Sequence, residues 1–64
     1  MQTPEPHAAF VIGQRVRVIY MGEPREGTIS EIVPVKGRRR VFYKIDLGLS
    51  GKPAYAEPEI ESVS

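Results

Sequence analysis

A strict two-residue alternation runs from Arg15 to Tyr20. Val16, Val18 and Tyr20 fall on one face, and Arg15, Arg17 and Ile19 fall on the other. With β-branched residues on the apolar face, this is the pattern of a half-buried strand. Gly22-Glu23-Pro24-Arg25-Glu26-Gly27 then reads as a loop, because two glycines and a proline break the alternation. A second strand is predicted over residues 28–35. Ile29 and Ile32 stand three apart, so the inward phase changes between them. A bulge or sharp bend at Ser30-Glu31 absorbs such a shift, as at the corners of small barrels. Pro34 has no N–H for a ladder, which places it at an edge or beyond the paired region.

Lys36-Gly37-Arg38 reads as a short turn, and residues 39–47 as the third strand. Val41, Tyr43, Ile45 and Leu47 share one face of it; Arg40, Phe42, Lys44 and Asp46 share the other. Residues 48–53 (GLSGKP) are turn chemistry again. A short fourth strand is expected around Ala54-Tyr55-Ala56, one helical turn at Glu57-Pro58-Glu59 with proline near its start, and a last strand over residues 60–63. No stretch of ten or more residues carries a 3.6 period. The fold class is therefore all-β: five short strands forming a small barrel or sandwich, with closure favoured because it spares a sheet of this size two adhesive edges and an uncovered face.

Length fits this picture. At 64 residues and 7.2 kDa, the chain accommodates one domain with a thin core. The opening MQTPEPHAA has two prolines and no clustered large apolar residues, so residues 1–9 read as a flexible tail and residues 10–64 as the domain. The absence of cysteine excludes a disulfide framework and a thiolate metal site. No apolar run is long enough to cross a bilayer, and residues 1–12 lack the basic and apolar regions of a signal peptide. A cytoplasmic location without membrane contact is the expectation. No sequence repeat is present.

The run Gly13-Gln14-Arg15-Val16-Arg17-Val18, then Gly22, then Gly27-Thr28-Ile29 with Ile32, resembles the opening of SH3-like small barrels. Its spacing is most similar to KOW and Tudor-like modules. Tyr55-Ala56-Glu57-Pro58-Glu59-Ile60-Glu61-Ser62-Val63 is similar to the closing turn and final strand of the same superfold. The resemblance spans roughly residues 10–63. It implies a five-stranded SH3-like barrel and a binding role toward RNA, ribosomes, polymerases or methylated peptides. The same opening, with Ala56-Glu57-Pro58-Glu59-Ile60, is similar to the photosystem I accessory subunits of the PsaE family, which implies protein docking. Gly13 to Arg17 and the placement of Tyr55 also resemble the type II dihydrofolate reductases, which would imply an oligomeric enzyme. There Pro53 stands in place of the substrate-contacting glutamine, and Val18-Ile19 in place of lysines. One superfold serves unrelated activities, so the chemistry has to come from particular side chains.

Charge supplies the sharpest candidate. The formal net charge is only +1, but residues 13–44 carry a net +5, residues 45–64 a net −3 and residues 1–12 a net −1. Lys36, Arg38, Arg39 and Arg40 crowd one predicted hairpin tip. Beyond it, Arg40, Phe42 and Lys44 alternate cation, ring and cation along one strand face. That constellation suits phosphate contacts beside a platform on which a base can stack. Arg15 and Arg17 extend the patch if the first strand presents them on the same side. The leading expectation is noncatalytic binding of a nucleic-acid backbone, with an acidic protein surface as the alternative partner.

Catalysis has little material here. The single histidine, His7, lies in the tail, and nucleophilic catalysis lacks an activated nucleophile with its base. Glu57, Glu59 and Glu61 read as a solvated acidic rim. No cofactor is implied, since neither a metal-ligand spacing nor a phosphate-binding glycine loop is present. Tyr20, Tyr43 and Tyr55 offer at most a partial aromatic cage, because Tyr43 shares its face with Val41 and Ile45.

Overall fold

The computed structural model describes residues 9–37 and 40–63. The expected tail therefore lies, apart from Ala9, outside the described residues. Among the described residues five strands form: β1 (Arg15–Tyr20), β2 (Glu23–Pro34), β3 (Val41–Asp46), β4 (Ala54–Ala56) and β5 (Glu61–Ser62). A single 3-10 turn, Glu57–Glu59, links the last two. The strands pair antiparallel in the order β4-β3-β2-β1-β5 and curl into a half-barrel compatible with an SH3-like barrel.

β2 organises the sheet. Its first half, from Glu23 to Thr28, pairs with β1, and its second half, from Thr28 to Pro34, pairs with β3. Residues 23–27, expected as a loop, are thus strand, and the true turn is only Met21-Gly22. Both turn residues have positive φ, 54° and 80°, as a two-residue hairpin of matching twist requires. Pro24 does not interrupt the ladder. The tight turn makes Tyr20 and Glu23 the hydrogen-bonded pair, so the next pair, Ile19 and Pro24, is a non-bonded one. The missing N–H of Pro24 therefore faces the open edge, where it discourages pairing with another strand.

Where β2 passes from one partner to the other, it carries Gly27. A Cβ there would lie 2.6 Å from the Asp46 carbonyl oxygen, 2.6 Å from Leu47 Cδ2 and 2.9 Å from Ile45 Cγ2. Glycine lets β2 press directly against the end of β3. Two residues on, the register shifts: Ile29 faces Ile45 and Glu31 faces Lys44, so Ser30 is the extra residue of a bulge. The bulge returns Ile32 to the inner side opposite Tyr43 and accounts for the three-residue spacing of the two isoleucines. Pro34 occupies the last rung with β3, beyond the reach of β1.

Phe10, Val16, Val18, Ile29, Tyr43, Ile45 and Ile60 form the core, with Ile32, Val41, Leu47 and Tyr55 packed around it. No described polar or charged residue is buried. The alternations of β1 and β3 both deliver their apolar faces inward. β3 stops at Asp46, whose carboxylate oxygen accepts the Gly48 N–H at 2.9 Å and turns the chain away. The 3-10 turn has Pro58 near its start, and Glu59 reaches back to accept the Ala56 N–H at 2.8 Å. Ile60 then drops into the core, which leaves β5 only two residues to pair with Val16 and Arg17. Among the described residues no helix is long and apolar enough to cross a membrane.

Candidate nucleic-acid interface

Pairing of β2 with β3 builds the hairpin that carries the basic cluster. Beyond the last rung, the Val35 N–H donates to the Arg40 carbonyl oxygen at 3.0 Å and closes the loop. Lys36 and Gly37 turn within it, with Gly37 at φ 78°. Arg38 and Arg39 lie outside the described residues. Lys36 and Arg40 are exposed, and neither forms an ion pair among the described residues.

On the outer side of the sheet, away from Tyr43, side chains follow the hairpin in rows. Arg40 stands opposite Val35. Phe42 stands between Val33 of β2 and Ala56 of β4, and Lys44 stands between Glu31 and Ala54. Val33, Phe42 and Ala56 are all half-buried, so Phe42 lies in an apolar strip instead of projecting alone. Lys44 Nζ sits 3.7 Å from Glu31 Oε1 directly across the ladder. The cation-ring-cation order read from the sequence is present, and its last cation is held by an acid.

Arg15 and Arg17 belong to a different region. They face Thr28 and Glu26, whereas Arg40 faces Val35. Seven positions of the chain separate Thr28 from Val35 and nine separate Glu26 from it, about 23 and 30 Å of extended chain before the bulge and bend are taken off. Glu26 clamps both arginines, at 3.0 Å to Arg15 Nη2 and 3.4 Å to Arg17 Nη2, and Glu61 holds Arg17 Nη1 at 3.3 Å. Hydrogen bonds from Arg15 and then Arg17 hold the Glu26 carboxyl below the ordinary glutamate range. The fold does not bring these two arginines to the hairpin loop.

The tyrosines divide. Tyr43 is fully buried and unavailable as a cage wall. Tyr20 and Tyr55 stay half-buried; Tyr55 pairs with Tyr43 across β3 and β4, and its hydroxyl donates to the Ile19 carbonyl at 3.2 Å. Burial, then the neighbouring Tyr20 and Glu59, raise the Tyr55 phenol above its usual value. The Arg25 guanidinium lies 5.8 Å from the centre of the Tyr20 ring. Beside it, Tyr20, Leu49, Ser50, Gly51, Lys52 and Pro53 line an open cleft of about 360 Å³. Sequence reasoning missed the Tyr20–Arg25 pairing because it took residues 22–27 for a loop. Once they are strand, Arg25 stands diagonally across from Tyr20 on the same face.

Glu57, Glu59 and Glu61 are exposed, and among the described residues no three metal-ligating side chains converge. Compared with protein families, curated proteins and solved structures, the chain finds no match. What fold and surface define is a small all-β half-barrel that carries a basic hairpin loop at one end.

Proposed function

We propose that this chain is a noncatalytic binding module of the SH3-like, KOW or Tudor-like kind, and that its hairpin loop captures a nucleic-acid backbone. One observation carries the reading. The Val35–Arg40 hydrogen bond closes a six-residue loop whose sequence holds Lys36, Arg38, Arg39 and Arg40 and no acid. Elsewhere, Arg15, Arg17 and Lys44 each have a carboxylate within 4 Å, and Arg25 and Lys52, which have none among the described residues, stand beside Tyr20. Four like charges thus fall within five consecutive residues of the sequence, and salt with a Debye length of about 8 Å screens their repulsion only in part. A line of phosphates relieves their mutual repulsion and releases its own condensed counterions. Phe42, one row along, supplies the apolar surface; Arg15 and Arg17 contribute only at long range.

The test is fluorescence anisotropy of a labelled 12-nucleotide strand. Binding is expected at 50 mM salt and is expected to weaken roughly 50-fold by 200 mM if four phosphates are neutralised. Joint replacement of Arg38, Arg39 and Arg40 by alanine is expected to abolish it. No binding of any oligonucleotide at 50 mM salt overturns the reading. A second reading, docking on an acidic protein surface, is favoured by the apolar strip Val33–Phe42–Ala56 beside the loop, since such a strip suits the centre of a protein interface. It predicts that a larger acidic protein co-purifies with the chain and is lost on Phe42→Ala.

A further inference from the structure

We infer that the outer face formed by Lys36, Arg40 and the Val33–Phe42–Ala56 strip accepts a single strand and discriminates against a duplex. The inference rests on the nucleic-acid reading above and concerns the same end of the sheet. Residues on one face of a strand repeat every second position, about 6.7 Å apart. Arg40 therefore marks a cationic row, the Val33–Phe42–Ala56 strip a neutral row about 7 Å further, and Lys44–Glu31 a third row about 13 Å away.

Only the first row rewards phosphate. The second row offers half-buried carbon surface, which a charged oxygen loses hydration to approach. In the third, Lys44 is already neutralised by Glu31, whose side chain is 59% exposed. Past Ala56 the chain, antiparallel to β3, heads toward the Arg40 end and turns through the exposed carboxylates of Glu57 and Glu59, which limit the cationic row on the β4 side.

A B-form duplex brings two lines of phosphates, separated by a groove of about 6 or 12 Å. With one line on Lys36 and Arg40, the other falls over the apolar strip or over the Lys44–Glu31 row. Neither position repays the desolvation of a second backbone. The bases of a duplex, stacked inside, do not reach Phe42. An unpaired strand places one line of phosphates on the cationic row and turns its bases onto the strip. Stacking there needs no particular base, because every base has a π-face.

The experiment titrates the intact chain at 50 mM salt with a labelled dT12 strand and with a 12-base-pair duplex, for wild type and the variants Arg40→Ala, Phe42→Leu and Glu31→Gln. Circular dichroism and urea midpoints establish that each variant is folded. The single strand is expected to bind at least tenfold more tightly than the duplex. Phe42→Leu is expected to weaken the single strand about 5-fold to 150-fold, the loss of one stacked base, with the salt dependence unchanged. Glu31→Gln, an exposed change that frees Lys44 for phosphate, is expected to narrow the gap by strengthening the duplex. A duplex bound as tightly as the single strand, with both weakened by Arg40→Ala, overturns the inference and leaves the binding function standing. A single strand indifferent to Phe42→Leu also overturns it. If neither nucleic acid binds, the underlying reading falls, and this inference with it.

Discussion

The rings of Phe10 and Tyr43 meet edge to face, with centroids 5.3 Å apart and planes at 81°. The Tyr43 hydroxyl also accepts the Ala9 N–H at 2.9 Å. Tyr43 stands at the middle of the sheet, so these contacts fasten the approach to β1 across the core before the first strand begins. An aromatic pair of this geometry adds about 0.5–1.5 kcal/mol beyond the burial of its area.

Removing the ring tests that fastening. Phe10→Ala is expected to cost about 3 kcal/mol or more, a large share of the stability of so small a domain. Tyr43→Phe keeps the rings and removes only the hydrogen bond, at about 1 kcal/mol. Urea unfolding followed by circular dichroism measures both. Equal midpoints for wild type and Phe10→Ala would show that Phe10 is not a core residue in solution.

Gly27 is the position where the sheet tolerates least. A methyl there meets the backbone oxygen of Asp46 at 2.6 Å, and backbone does not move aside as a flexible side chain does. Gly27→Ala is expected to destabilise by about 1–3 kcal/mol through overpacking. The denaturation midpoint reports it, and an unchanged value would remove the close approach of β2 to β3.

Met21 is the reverse case. The residue is 84% exposed and its φ is +54°, a region that suits asparagine better than an unbranched apolar residue. Met21→Asn therefore gives up little burial and is expected to raise stability by up to about 1 kcal/mol, part of the left-handed penalty that asparagine relieves. A lower thermal midpoint would count against the Met21-Gly22 turn.

Glu26 links stability to acid. Its folded carboxyl titrates below its unfolded value because Arg15 and Arg17 donate to the charged form. A lowered carboxylate pKa contributes stability that is present above the unfolded value and is lost as pH falls through the folded one. The contribution is therefore expected to be intact at neutral pH and to fade below about pH 4.3, the ordinary glutamate value. NMR titration of the Glu26 carboxyl carbon, in wild type and in Arg15→Ala, measures it. The variant is expected to titrate closer to an unperturbed glutamate, and identical midpoints would show that the ion pair is not populated.

Periodicity carried a large part of the fold. The alternations in residues 15–20 and 41–47 specify which side chains enter the core, since the side-chain period of a strand leaves one choice once a face is apolar. The spacing of Ile29 and Ile32 marked the bulge, and Pro58 between two glutamates marked the 3-10 turn. Residues 23–27 were not legible in the same way. Whether a proline interrupts a ladder depends on which way its nitrogen points, and the Met21-Gly22 turn decides that through register.

The sequence by itself determined the class of fold, the inward faces and the concentration of cations around Lys36 and Arg40, because these follow from local period and local composition. The tertiary structure alone decided which charges meet. Glu26 lies eleven residues from Arg15 and Glu61 forty-four from Arg17, yet strand pairing joins them. The same pairing sets Arg15 and Arg17 against Thr28 and Glu26, in the half of β2 away from the hairpin loop, and seats Phe42 between Val33 and Ala56. Coulomb interactions and side-chain contacts act over a few ångströms of space, and only the register of the sheet converts distance along the chain into distance between atoms.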